Sequence, residues 1–500
     1  MSGTAACRTR PSRACAPSPT RCARSRRERR TRGRDGGRRA VSARESAVEV
    51  AVIGAGAAGL AAARALRAHG AEVAVLEAGE APGGVMQTQR LDGYLVERGP
   101  NALQVKPAAL AFLRAHGLEG ALLPAGPEAR LRALFAGGRL VRVPAGPLDA
   151  LRTPLLSARG KLRVLAEPFV RRGDATGESV ADFAARRLGR EALDRLVAPF
   201  LVGVYAGDEA RLGAEAVFPA LVAYERAHGS IARGALAAAR DRARPRGLRG
   251  SWSAREGLGG LARALAEGLG AALRVRTPVA ALACDGGGFA LELERGETLR
   301  ARAVVVAVPA HAAAALLRGV APEAAEALAV IPYAPLVSAA LGVDPAAARA
   351  PIRGFGFLVP RAAGLDLLGV LFMSRVFPER APAGRELLAA MIGGARWPGA
   401  VDATDAELAA RIGAGLERTL GLRDAPPPLA VARWPRAVAQ PDPEHPRRVA
   451  RLRELAARLG RLRLAGAYLD GVSVADALAS GSRAATEVRE PCARSGPAAS

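Results

Sequence analysis

Lysine is almost absent from this 500-residue chain: Lys106 and Lys161 are the only two, and the other 70 basic side chains are arginines. Aromatics are scarce too, with 3 Trp, 5 Tyr and 11 Phe. The apolar half of the composition therefore rests on Ala, Leu and Val, which is still enough to fill sizeable cores and to exclude a wholly disordered chain. No run of 18 apolar residues occurs. The best stretch, Ala303 to Leu317, is broken by Pro309 and His311, so no transmembrane helix is expected. Of five cysteines, Cys7, Cys15 and Cys22 lie near the start, leaving Cys284 and Cys492. Two distant thiols make neither a disulfide framework nor a metal site, and a reducing compartment is expected.

The net charge of +25 at first suggests nucleic acid, but it is unevenly placed. Residues 1–47 hold 14 arginines against Glu28, Asp35 and Glu45. After residue 47 no basic stretch is interleaved with aromatics, as a single-strand groove requires, so no nucleic-acid partner is expected. The first 47 residues are rich in Arg, Ser, Ala and Pro and lack an apolar signal core, the composition of an organelle transit peptide. Val41-Ser42-Ala43 resembles a plastid cleavage context. The expected address is a plastid, with association to a membrane. A mitochondrion, a bacterial protein with a spurious extension and a basic RNA-binding arm are the alternatives. The length suggests two or three domains.

A cofactor motif opens at residue 48. Val48 to Ile53 is a β-rich run, followed by Gly54-Ala55-Gly56-Ala57-Ala58-Gly59, an Ala/Leu-rich helix from Leu60 to His69, and a second strand from Glu72 to Leu76 that ends on Glu77. Strand, GxGxxG, helix, strand and acid within 30 residues supply the context that the glycine motif requires. Gly54 permits a tight turn, Gly56 lets backbone approach a pyrophosphate, and Gly59 lets helix and sheet pack closely. The helix start offers free N–H groups to phosphate. Glu77 is placed to accept ribose hydroxyls, which favours an unphosphorylated ribose. The motif alone does not separate NAD from FAD. The paired Gly83-Gly84, and a strand running into Gly99-Pro100-Asn101, fit backbone wrapped around a flavin.

From Val48 to about Val488 the chain resembles protoporphyrinogen oxidases, a branch of the flavin-containing amine oxidase superfamily. The stretches that carry the match are GAGAAGLAAARAL with EAGEAPGG, GYLVERGPNALQ, ESVADFAARRLGREALDRLVAPFLVGVYAGD, FGFLVPRAAGLDLLGVLFMSRVFPERAPAG with MIGGARWP, and LAGAYLDGVSVADALASG. The GVYAGD and FPERAP stretches belong to this branch; the glycine motifs are superfamily-wide. Two departures fall at domain junctions: Leu212-Gly213 stands for the usual Leu-Ser, and Ala439-Gln440-Pro441 for the usual Pro-Gln-Tyr.

The resemblance implies an α/β fold: a discontinuous Rossmann-like FAD-binding domain (48–105, 251–310, 455–490), an inserted α+β substrate-binding domain (106–150, 219–250, 311–454) and an all-helical membrane-associating lobe (151–218). Within the lobe, Val180, Phe183, Ala184 and Leu188 are spaced for one helix face. Arg447 to Arg461 reads as a charged helix with a solvated face. Val304 to Val308 reads as a buried parallel strand returning to the dinucleotide sheet.

For the chemistry, the resemblance implies FAD, with Ala78 and Val85 beside the glycines already named. Gly99, Pro100, Asn101 and Ala102 would line the isoalloxazine, Val279 the adenine, and Ala467, Val472, Ser473 and Val474 the flavin's far end. Arg132 aligns with a propionate-anchoring arginine, Arg130 being its nearest competitor. Leu371 and Met391 match residues flanking a macrocycle, Leu358 or Phe357 falls beside them, and Gly203 matches a glycine facing the substrate centre. The implied reaction is six-electron oxidation of protoporphyrinogen IX to protoporphyrin IX, in haem and chlorophyll biosynthesis. Hydride would pass from a bridging methylene to flavin N5, with O2 then reduced to peroxide. No acid, base, nucleophile or metal ligand is assigned, and His228, His311 and His445 read as structural or surface residues. A homodimer and contacts with neighbouring tetrapyrrole enzymes are left open. Coproporphyrinogen III oxidation, another amine oxidase-type oxidase or desaturase, and a non-catalytic flavoprotein are the rival readings.

Overall fold

Short β-rich runs separated by glycine turns build two seven-stranded sheets and two short two-stranded ones among the described residues. The computed structural model describes residues 46–489 except 145, 242 and 244. The expected leader lies outside the described residues, apart from Ser46 and Ala47, which already belong to the first strand, Ser46–Ile53.

That strand is central in a seven-stranded sheet. It pairs in parallel with Thr298–Val306 on one side and Val73–Leu76 on the other, and Leu462–Leu464 adds in parallel beside Thr298–Val306. Residues Ala303, Val304, Val305 and Val306 are fully buried, as helices on both faces of a parallel sheet require. Strands Val279–Asp285 and Gly288–Leu293 join this sheet, paired antiparallel with each other. On one face lie helices Ala57–Ala68 and Val474–Arg489. The backbones of these two helices approach so closely that a Cβ at Gly481 would collide with the carbonyl of Ala58.

The second seven-stranded sheet runs Ala430–Ala439, Tyr333–Val343, Glu386–Gly393, Leu367–Phe372, Gly356–Leu358, Arg132–Ala136, Arg139–Arg142. Its alternate residues Phe135, Val337, Val370, Phe372 and Ile392 pack on Leu408, Ile412, Leu416 and Leu420 of helix Asp405–Leu420. One face is thus closed by a helix, and parts of the other pack on Tyr94 and Val96 and on Leu155 and Val202 of the helical block.

A helical block is inserted in sequence after strand Arg139–Arg142 of the second sheet, before the remaining strands of both sheets. In helix Val180–Leu188 the buried positions are 180, 183, 184 and 187, so the inward seventh-residue step falls on Arg187 and not on the expected Leu188. Buried Arg187 pairs with Glu167 and, at 3.3 Å, with Glu225; Arg186 also pairs with Glu225 at 2.6 Å. Glu167 accepts from Ser230 Oγ and from the N–H groups of Ile231 and Ala232, capping the helix Ile231–Arg240. Helices Pro219–His228 and Ile231–Arg240 therefore pack with the helical block, although 219–250 was expected with the substrate-binding portion. Helices Ala310–Leu317 and Pro322–Ala329 likewise pack on the first sheet. The expected charged helix forms as His445–Arg458, but it is amphipathic, burying Val449, Leu452 and Leu455 on the first sheet's core.

Candidate active site

The glycine turn has the shape its sequence requires. Gly54 takes φ +97°, and a Cβ there would lie 2.9 Å from the carbonyl oxygen of Ala307; a Cβ at Gly59 would collide with the carbonyl of Gly54. At Gly56, in contrast, a Cβ would meet nothing within 4 Å. The tight positions pack the fold, and the open one faces the space where a ligand would sit. Gly56 starts helix Ala57–Ala68 with no side-chain cap and no acid in the first turn, leaving its N–H groups and partial positive charge for an anion. The Gly83-Gly84 turn is tied to this loop: Gly83 N–H donates to the carbonyl of Ala55 at 2.8 Å.

Glu77 takes part in the same loop. One carboxylate oxygen accepts from Ala55 N–H and the other from Gly79 N–H, both at 2.7 Å. Each oxygen keeps a lone pair, so the two ribose hydroxyls of the expectation can still be accepted. Exposed Ala78 follows it. The backbone of Glu77 accepts from Thr277 N–H, which brings the chain leading to Val279 alongside.

A second segment lies opposite. Val85 is 46% exposed, large for an apolar side chain, and its carbonyl sits where a Cβ of Gly99 would have to be. Gly99, Pro100, Asn101 and Ala102 are half-buried. At the C-terminal end, Ser473 Oγ accepts from Asp476 N–H at 3.2 Å and donates to its carboxylate at 2.6 Å, starting helix Val474–Arg489. Lys106 closes that pair from outside at 2.7 Å. Ala467 packs on the core of the first sheet's helices, and Val472 packs against Tyr205 of the helical block. Burial, with the Asp476 carboxylate adding to it, pushes the Tyr205 phenol up to about 12. These segments fit a dinucleotide-linked flavin.

Sheet register brings the expected substrate residues together. Gly356 pairs with both Arg132 and Leu371, and Leu371 with Ala389, in one row across the second sheet. In the next row Leu134, Leu358, Gly369, Met391 and Ser338 are neighbours. Directly paired residues point the same way, so Arg132, Leu358, Leu371 and Met391 share the face not covered by helix Asp405–Leu420. Gly203 joins them: a Cβ there would lie 2.7 Å from Leu358 Cδ2. Phe357 points to the helix side and is buried, so of the two it is Leu358 that reaches this face. Ala102 and Leu371 pack on the same buried group, Tyr94, Val96, Ala340 and Ala389, joining the two halves of the site.

Among the described residues Arg132 has no acid partner. Its side chain is exposed, its guanidinium stands 4.9 Å from the centre of the Phe355 ring, and partial desolvation lowers its pKa. It is the one charged side chain in these two rows.

A scan against family models matches residues 57–489 to the flavin containing amine oxidoreductase family. The chain belongs to that family. Its cofactor is FAD. Within the family the chain is similar to the protoporphyrinogen oxidases, as its motifs imply. It is 35% identical over 431 residues to the chloroplastic protoporphyrinogen oxidase of Oryza sativa subsp. japonica, covering 80% of each chain. It is 29% identical over 464 residues to the coproporphyrinogen III oxidase of Bacillus subtilis, covering 88% of this chain and 97% of that one. A crystal structure of a candidate protoporphyrinogen oxidase from Exiguobacterium sp. 255-15 superposes with a TM-score of 0.74 at 25% identity, over 89% of this chain and 98% of that one.

Three features of the site were missed from sequence. Glu97, in the GYLVERGPN stretch, forms a buried ion pair at 3.2 Å with Arg380 of the FPERAP stretch. Trp434 donates its indole N–H to the carbonyl of Arg98 at 2.8 Å. The two family departures touch each other: Gly213 N–H donates to the carbonyl of Pro441 at 2.8 Å, and a Cβ on Gly213 would lie 2.5 Å from the carbonyl oxygen of Asp442. The first was signalled by two of the stretches that carry the resemblance, and the second by the rarity of Trp; the third pairing carries no signal in a single sequence.

Proposed function

We propose that this protein oxidises protoporphyrinogen IX to protoporphyrin IX, with three O2 reduced to three H2O2 for the six electrons and six protons removed. The observation that carries this reading is the second sheet's face opposite helix Asp405–Leu420, beside the Gly99–Ala102 loop. It offers apolar walls from Leu358, Leu371 and Met391 and one uncompensated guanidinium, Arg132. A flat macrocycle with propionates along one edge needs that combination.

The residues for FAD are Gly54, Gly56, Gly59, Glu77, Ala78, Gly83, Gly84 and Val279 on the adenosine diphosphate side. On the flavin side they are Val85, Gly99, Pro100, Asn101, Ala102, Ala467, Val472, Ser473 and Val474. When bound, FAD supplies a two-electron acceptor that dioxygen restores. The chain's own part is orientation. Arg132 anchors a propionate, Leu371 and Met391 form apolar walls for the ring, and the absence of a side chain at Gly203 lets Leu358 pack against its backbone to complete the wall. No side chain is assigned as acid or base, since pyrrole N–H protons can leave to solvent.

The sheet face and the helical block form the substrate-binding and membrane-associating parts in this reading. Leu162, Leu165 and Phe169 are 66%, 56% and 85% exposed, beside the exposed Arg159, Arg171 and Arg172, which suits a peripheral membrane contact. Among the described residues no helix is long and apolar enough to cross a membrane. The plant relatives are named chloroplastic, which with the basic first 47 residues supports a plastid address.

The Bacillus relative's name raises coproporphyrinogen III, a tetracarboxylate. A ring with propionates on every edge needs cations on both sides, and the two rows supply one. Assaying purified holoenzyme on both substrates tests the choice: higher kcat/KM with protoporphyrinogen is expected, and faster turnover of the tetracarboxylate overturns it.

A further inference from the structure

Trp434 lies on the edge strand Ala430–Ala439, paired with Leu336. Leu336 is two residues from Ser338, which pairs with Met391, so the indole belongs to the same sheet face as Met391, Leu371 and Arg132. Its N–H reaches out of that sheet to the carbonyl of Arg98, at 2.8 Å. The residues that follow, Gly99 to Ala102, form the loop proposed to line the isoalloxazine. Val85 stops that loop from one side, where its carbonyl occupies the place of a Gly99 Cβ, and the buried Glu97–Arg380 pair holds its start. The Trp434 bond is a direct polar tie between the loop's backbone and the substrate-side sheet.

We propose that Trp434 is a positioning residue: its indole N–H fixes the Arg98–Ala102 loop, and with it the flavin, relative to the sheet face that carries the substrate. An error of about 1 Å in such a placement costs on the order of a hundredfold in rate. A hydrogen bond of this kind also orders the loop that FAD must otherwise order itself. The proposal rests on the flavin reading of the loop, and its kinetic part alone rests on the porphyrinogen reading.

Two variants separate the N–H from the ring's bulk. Trp434→Phe keeps an aromatic ring and deletes the donor. Trp434→His keeps a ring N–H at the equivalent third position from Cβ and deletes the benzo ring. The first readout needs no substrate: the visible circular dichroism of bound FAD and its dissociation constant. Trp434→Phe is expected to change the spectrum and weaken FAD about three- to tenfold. Trp434→His is expected to return both toward wild type. The second readout is anaerobic flavin reduction by protoporphyrinogen. Here Trp434→Phe is expected to slow the limiting rate about tenfold or more while KM moves less than about threefold. Wild-type dichroism and reduction rate in Trp434→Phe, even with a lowered Tm, would overturn the proposal, as would Trp434→His being as impaired as Trp434→Phe. If Trp434→Phe does not fold, the dichroism of Trp434→His decides. A wild-type flavin that no porphyrinogen reduces sinks the proposed function and leaves the dichroism test intact.

Discussion

Glu97 and Arg380 form an ion pair at 3.2 Å with both side chains 1% exposed. Glu97 also accepts from Thr88 Oγ1 at 2.5 Å and from Leu258 N–H at 2.9 Å, while Arg380 donates to Ser253 Oγ at 2.7 Å. Burial pushes the Glu97 carboxyl up, against the pull of Arg380, so the arginine is what keeps this site compatible with charge. The pair joins the cofactor-side strand Tyr94–Glu97 to the turn that follows the second sheet's strand Leu367–Phe372. Removing one member leaves an uncompensated group in the interior. Arg380→Met is expected to cost about 3–5 kcal/mol in chemical denaturation, and adding Glu97→Gln should recover part of that loss. A cost near zero for the single variant would contradict a paired, buried role.

The glycines of the first turn separate packing from binding. Gly59→Ala drives a methyl into the carbonyl of Gly54, and it should prevent stable folding of the first sheet. Gly56→Ala adds a methyl to open space. It should leave far-UV dichroism and apoprotein Tm unchanged while weakening FAD at least about tenfold in a fluorescence titration. Equal FAD affinity in Gly56→Ala would show that the phosphates do not approach there.

Arg132 faces the site with a ring of Phe355 as its neighbour and, among the described residues, no paired carboxylate. Arg132→Ala should raise KM for protoporphyrinogen about ten- to a hundredfold, with FAD retained at full stoichiometry. Arg132→Lys keeps the charge and loses the fork, so it should fall between the two. An unchanged KM in Arg132→Ala would move the anchor elsewhere.

The cofactor half of this site was legible in the sequence because its constraints are local. Gly54, Gly56, Gly59 and Glu77 fall within one strand–helix–strand unit whose spacing dictates its geometry. The substrate half was legible only through resemblance. Arg132, Leu358, Leu371 and Met391 come from four strands, and only sheet register brings them to one face. Arg187 misled the pattern of helix Val180–Leu188 because a charged residue takes a core position when acids are buried with it. The side-by-side placement of Gly213 and Pro441 explains how two departures from the family pattern coexist, since a serine Cβ at 213 would press on the 442 carbonyl.

The helical block should be the acid-sensitive part. Burial works against ionised Glu167 and Glu225, but hydrogen bonds to the first from Ser230, Ile231 and Ala232, and to the second from Arg186 and Gly173, lower both below their ordinary value of 4.5. Depressed carboxyl pKa values add stability above that value, and the contribution is lost as pH falls through the folded-state pKa. Limited proteolysis from about pH 7 down to about pH 3 should therefore find cleavage between 158 and 240 rising only below pH 4.5. Protection that does not change over that range would contradict the role of the network.

The central claim, that a bound flavin beside the Arg132–Met391 face oxidises a porphyrinogen, is tested most directly by mixing the holoenzyme anaerobically with protoporphyrinogen IX and following the flavin's visible absorbance. The account predicts rapid bleaching, recovery on admitting air with peroxide formed, and three such cycles per porphyrin released. A flavin that stays oxidised with protoporphyrinogen, or bleaches only with the tetracarboxylate coproporphyrinogen III, would contradict it.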